Sequence, residues 1–140
     1  LATLIDTGVA ADHLEKLIAA QGGDPRVVTD PSRLPAAPVV RVVSSEGDGW
    51  VERVDARVIA DAALALGAGR TRKGDAIDPA AGVRLLARRG DEVRPGQPLA
   101  EIHAASGEAA RNAEAIVLRA YRIGEERPTR TEPPFVVVGR

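Results

Sequence analysis

The side chains best suited to handling an anion lie in one run, Gly67-Ala68-Gly69-Arg70-Thr71-Arg72-Lys73-Gly74-Asp75-Ala76-Ile77-Asp78. Arg70, Arg72 and Lys73 make a short basic loop framed by glycines, on a chain whose formal net charge is only −1. A phosphate cradle needs Gly-x-x-x-x-Gly-Lys-Ser/Thr, or Gly-x-Gly-x-x-Gly between a strand and the start of a helix, because only then do backbone N–H groups point at the anion. Here the glycines follow a helical pattern instead of opening one. Two readings stand: a helix terminus plus a flexible turn, and a loop whose cations swing toward an anionic ligand.

Other chemistry is harder to place. His13 and His103 have no second His or carboxylate at metal-ligand spacing, so no metal is expected. Ser32, Ser44, Ser45 and Ser106 sit in turns or at strand ends, without the Gly-x-Ser-x-Gly elbow that exposes a nucleophile. The acidic pairs Asp75/Asp78 and Asp91/Glu92 flank Gly or Pro turns, where turn solvation explains them more simply than acid–base work. Zero Cys excludes a disulfide scaffold, a thiolate zinc site and a Cys nucleophile. No catalytic residue, metal or cofactor is expected in this chain.

These groups need elements to position them. Leu14, Leu17, Ile18 and Gln21 follow helical spacing over Ala10–Gln21, with Gly22-Gly23 as the stop. Residues 1–7 read as the tail of an earlier helix. Asp24 to Pro38 carries four prolines and reads as an extended connector with turns. Val39–Val43 and Trp50–Val54 are strand-like, and the turn residues Glu46-Gly47-Asp48-Gly49 between them predict a hairpin. Asp55 is the expected N-cap of a helix over 56–66 that Gly67-Ala68-Gly69 ends. A strand follows at 83–87. Val93, Leu99 and Ile102 mark short strands between Gly90-Asp91 and Pro95-Gly96 turns, and 107–119 is an Ala-rich helix. Tyr121–Ile123 and Phe135–Val138 read as terminal strands. Hairpins with intervening helices favour an α+β domain over a doubly wound sheet.

The chain is long enough for one domain or a little more: 140 residues, 44% apolar, its Gly and Pro scattered without a period. The near-zero charge argues against nucleic acid, since phosphate contacts need a basic surface. No apolar run approaches the ~20 residues of a membrane span, and no signal-peptide pattern opens the chain, so no membrane partner and a cytoplasmic location are expected. The chain has no Met, not even at position 1, which suggests a piece of a longer polypeptide.

The stretch Gly90-Asp91-x-Val93-x-x-Gly96-Gln97-x-Leu99-Ala100-x-Ile102 resembles the half-motif of biotinyl and lipoyl carrier domains. Those carriers need a Lys at the next hairpin tip, and no Lys follows Lys73. A swinging arm is excluded, whereas barrel-sandwich geometry is retained as an expectation.

Three blocks together resemble the C-terminal region of the pyrimidine-nucleoside phosphorylases, the thymidine phosphorylase family. They are Ala19-Ala20-Gln21-Gly22-Gly23-Asp24-Pro25, then Leu66-Gly67-Ala68-Gly69-Arg70-x-x-Lys73-Gly74-Asp75-x-Ile77-Asp78, then Gly90-Asp91-x-Val93-x-x-Gly96-Gln97-Pro98-Leu99-Ala100-x-Ile102-His103-Ala104. Ala68 departs from the family, whose members often have Gly there. The resemblance implies an α/β-hammerhead domain with barrel-sandwich-like hairpins over 38–140, preceded in 1–37 by the end of an α/β lobe and a connector. It implies a homodimeric parent enzyme that cleaves a pyrimidine nucleoside with phosphate. The family's Lys-His-Ser-Thr-Gly-Gly stretch is absent from this sequence, so this chain alone should be inactive. Gly67, Gly69, Arg70, Lys73 and Asp75 become candidates for a loop that helps to close the parent's cleft. A different class also fits the residues: a non-catalytic barrel-sandwich interaction module.

Overall fold

Local chemistry at the helix ends explains much of the chain path. A computed structural model describes residues 2–129, and the chain divides into two units, Leu1–Ala36 and Ala37–Arg140. In the first, α1 (Ala2–Asp6) meets α2 (Val9–Ala20) through Gly8 at φ +78°. Helix α2 ends where the two glycines require it. Gly22 adopts φ +80° and donates to Ala19, and the Gly23 N–H returns 2.9 Å to the Ile18 carbonyl, which satisfies two orphan acceptors.

The connector contains turns, as its prolines predict. Pro25–Val27 and Pro31–Arg33 each form a single 3₁₀ turn, with Asp24 and Asp30 as the caps. The reason is positional: proline at the first position of a turn sets the required φ and lacks only an N–H that would be unpaired anyway. Asp24 also binds the Arg26 guanidinium at 2.8 Å and Arg33 at 3.0 Å. The hydrogen bond from Arg26 holds its carboxyl well below the usual range.

The second unit is mixed α+β, built on two small antiparallel sheets. Its elements run β1 (Val39–Ser44), β2 (Gly49–Val54), α3 (Ala56–Ala65), β3 (Gly82–Leu85), β4 (Glu92–Val93), β5 (Pro98–Ala104), α4 (Gly107–Ala120) and β6 (Tyr121–Gly124). One sheet has the order β1-β5-β3 and the other β4-β2-β6. Among the described residues the sheets do not close into a barrel. The expected Phe135–Val138 strand lies outside the described residues.

The predicted β1–β2 hairpin does not form. Val39 pairs with Ala104 and Val43 with Ala100 of β5, whereas Val51 pairs with Ile123 of β6. Ser45 diverts the chain. It is buried, its N–H donates to Gln97 and its carbonyl accepts from Gly96, so the segment after β1 is bound to the turn before β5. The turn residues 46–49 therefore carry the chain from one sheet to the other.

Helices α3 and α4 pack on the inner face of the β1-β5-β3 sheet around Val43, Ile102 and Val117, each 0% exposed. With three aromatics in the whole sequence, alanine does the spacing. Ala62, Ala110, Ala113 and Ala120 are buried, and their small side chains let the helix and strand backbones approach closely. A smaller cluster of Val51, Ala87, Val93 and Leu99 fills the β4-β2-β6 side, and Tyr121 packs against both.

Candidate functional site

Helix α3 delivers the basic loop. Asp55 caps its start by accepting from the N–H groups of Arg57 and Val58, as its position predicted. Gly67 ends it at φ +96°, donating 3.0 Å to Leu64, while the Ala68 N–H reaches Ala63 at 3.0 Å. The far end is anchored too, since Asp78 N–H donates 2.9 Å to the Gly67 carbonyl. Residues 67–78 therefore form a loop closed at its neck by the backbone.

Inside that neck the loop is ordered by its own carboxylate. One oxygen of Asp75, Oδ2, accepts from Thr71 N–H (3.1 Å), from the Thr71 hydroxyl (2.7 Å) and from Arg72 N–H (2.7 Å). Asp75 N–H returns 3.2 Å to the Arg72 carbonyl, and Gly74 takes φ +99°, the backbone of a type II turn with Lys73 and Gly74 at its centre. The Thr71 hydroxyl, with the backbone N–H groups, holds the Asp75 carboxyl below its ordinary pKa.

The helix terminus expected here is present at Gly67, and the turn after it is closed by Asp75. Arg70, Arg72 and Lys73 are exposed and enter no ion pair among the described residues. Gly69 lies against Leu64, and a groove of about 480 Å³ runs beside the loop between Arg57, Ala60, Asp61, Leu64 and Ala68. Three exposed cations thus stand on a loop whose residues Ala68 and Gly69 border a small groove. It holds no nucleophile.

The remaining candidates are accounted for locally. His13 is exposed on α2. His103 is on β5, its Nε2 3.8 Å from Glu101 on the same strand face, while Arg84 reaches Glu101 at 3.2 Å. The two-residue period of a strand is the signal that could have revealed this pair. Among the described residues no three His, Asp or Glu side chains gather as metal ligands. Ser106 caps α4 through Ala109 N–H, Ser32 binds Asp30, and the Ser45 hydroxyl donates 2.6 Å to the Gly47 carbonyl. Asp78 accepts from Ala80 N–H and Asp91 from Arg88 N–H, so these acids build turns.

Tyr121 was not singled out by sequence. Its hydroxyl lies 2.7 Å from the Leu99 carbonyl and 3.0 Å from that of Ala87. Burial, helped by the charge of Asp91, pushes its pKa up to about 12. This phenol is a structural donor.

Comparison with known proteins adds what geometry alone does not carry. Residues 50–124, just over half of the chain, match the family described as Pyrimidine nucleoside phosphorylase C-terminal domain. The chain is 40% identical over 122 residues to a protein named thymidine phosphorylase from Burkholderia lata, and 39% identical over 122 residues to one of the same name from Burkholderia cenocepacia. Each match covers 86% of this chain and 28% of the relative. The chain thus spans under a third of the length of the curated relatives it matches.

Proposed function

This chain belongs to the pyrimidine nucleoside phosphorylase family and carries its C-terminal domain, and from that premise we propose that it is part of an enzyme that splits thymidine or a related pyrimidine nucleoside with phosphate. In that reaction a phosphate oxygen bonds to C1′ of the sugar as the bond from C1′ to the base nitrogen breaks. The electron pair leaves with the base, which takes up a proton, and the products are the free base and a pentose 1-phosphate. The observation that carries the reading is the match of residues 50–124, supported by relatives named thymidine phosphorylase over 86% of the chain.

In this reading the groups that hold phosphate and stabilise charge on the leaving base belong to the rest of a homodimeric, cytoplasmic parent. Residues 38–140 are its α/β-hammerhead domain with barrel-sandwich-like strands, and 1–37 are the end of the preceding lobe and the connector. The Gly67–Asp78 loop borders the cleft. Closure between lobes would bring Gly67, Gly69, Arg70, Lys73 and Asp75 near the substrates and help to exclude water. The chain alone would be inactive. No cofactor or metal enters this reaction, and neither nucleic acid nor membrane is a partner; no helix among the described residues is long and apolar enough to cross a membrane.

The test is phosphate-dependent release of thymine from thymidine by the full-length enzyme, with this chain assayed beside it. Activity in the first and none in the second is expected. Activity in this chain would overturn the upstream placement of the chemistry, and an inactive full-length protein would favour a non-catalytic interaction module. For the loop, Arg70→Ala combined with Lys73→Ala should alter kcat or KM; unchanged constants would remove it from the cleft.

A further inference from the structure

The basic loop is held in shape by an anion of its own. The donors that a ligand phosphate would seek at Thr71 and Arg72, two backbone N–H groups and a hydroxyl, all point at Asp75 Oδ2. At Thr71 and Arg72 a ligand therefore meets side chains and not these backbone donors. The loop's cationic side chains are Arg70, Arg72 and Lys73, with Lys73 at the centre of the turn that Asp75 closes. Gly74 at φ +99° lets the turn form, and nothing lies within 4 Å of where its Cβ would be, so the tip is open to solvent.

We propose that Asp75 is a positioning residue of the full-length phosphorylase: its carboxylate staples the Arg70–Gly74 turn so that the three cations draw inorganic phosphate toward the cleft. This rests on the reading above, in which the loop borders the cleft. Three like charges crowded on one short segment repel one another and, unrestrained, would spread in different directions. A carboxylate bonded to the backbone at the base of the turn counters that spread without covering the cations. Cations fixed on one rim raise the local concentration of a small anion, an effect that falls as salt rises.

The sign of one substitution separates positioning from simple charge. Asp75→Asn removes a negative charge beside the loop. Were Asp75 only a neighbouring charge, the variant would capture phosphate better. As a staple, its loss should lower kcat/KM for phosphate about fivefold or more, through KM, with the KM for thymidine at saturating phosphate within twofold of wild type. Asp75→Glu should recover part of the loss, and Asp75→Asn should be cut faster by trypsin after Arg72 and Lys73. Thr71→Val, which deletes one leg of the staple and leaves every charge in place, should shift phosphate KM the same way by about twofold, and it decides the matter if the Asp75 variants fold poorly. Arg70→Ala with Lys73→Ala is the control on the underlying reading. If that pair weakens phosphate use while Asp75→Asn or Thr71→Val leaves it unchanged or improved, the loop stays at the cleft and the staple is overturned. If none of the variants changes either constant, the cleft placement itself falls.

Discussion

The hydroxyl of Tyr121 on β6 donates to the carbonyl of Leu99 on β5 at 2.7 Å, which bonds one sheet to the other. The same carbonyl receives the N–H groups of Leu86 (2.9 Å) and Ala87 (3.0 Å), so a single acceptor gathers β5, the end of β3 and β6. Apolar packing alone would allow the sheets to slide. A directional bond from a half-buried phenol sets their register.

Tyr121→Phe should therefore destabilise this chain by about 1–2 kcal/mol, since it removes a donor and leaves carbonyls less well paired. Urea unfolding of the two proteins measures it.

The same residue sets an alkaline limit. Its pKa rises from the usual 10.0 to about 12 on folding, so between those values the folded state keeps a proton that the unfolded state has released. The stabilising contribution is complete below pH 10 and is lost as pH climbs toward 12. Wild type should lose stability relative to Tyr121→Phe across that window; parallel pH dependences would contradict the assignment.

Asp55→Ala should cost about 1 kcal/mol, because the N–H groups of Arg57 and Val58 lose their acceptor at the start of α3. Asp55→Asn should recover most of it. Thermal unfolding by circular dichroism distinguishes the two.

Gly49→Ala should be far more damaging than Gly90→Ala, although both glycines have positive φ (+137° and +94°). At Gly90 nothing lies within 4 Å of a new Cβ, so only the backbone penalty of about 1–2 kcal/mol applies. At Gly49 the methyl would drive into the Gly124 carbonyl of the paired strand β6, adding overpacking of about 1–3 kcal/mol. Denaturation midpoints of the two variants give the difference.

Ile102→Ala should cost about 2–5 kcal/mol, as the residue is 0% exposed on the central strand β5. Val40→Ala on the outer face of the adjacent strand, 52% exposed, should stay within about 0.5 kcal/mol. Equal effects would mean that the two faces of this sheet have been misassigned.

In acid, the lowered pKa of Asp75 predicts that its turn survives below the pH at which an ordinary aspartate protonates. The stabilisation is present above the usual aspartate pKa and disappears as pH falls through the lowered one. Carboxyl chemical shifts followed by NMR should show Asp75 titrating below the ordinary aspartate range.

The amino-acid sequence by itself determined the features made by near neighbours. Asp55 announced a helix start, and Gly22 and Gly67 announced helix ends, because capping joins residues at most five apart. The blocks around Gly67–Asp78 and Gly90–Ala104 likewise carried the family. Only the tertiary structure decided which strands pair. Val39–Val43 and Trp50–Val54, with turn residues between them, look like a hairpin at short range, yet β1 bonds to β5 and β2 to β6. Strand pairing is non-local, and an alternating apolar strand suits many partners until helices bury one of its faces. The basic loop belongs to both cases. Its residue types were legible as chemistry, but an aspartate carboxylate can serve water, an arginine or its own backbone. The structure settles the choice: Asp75 serves Thr71 and Arg72, four and three residues back, while the bond from Asp78 to Gly67 fixes the loop's ends.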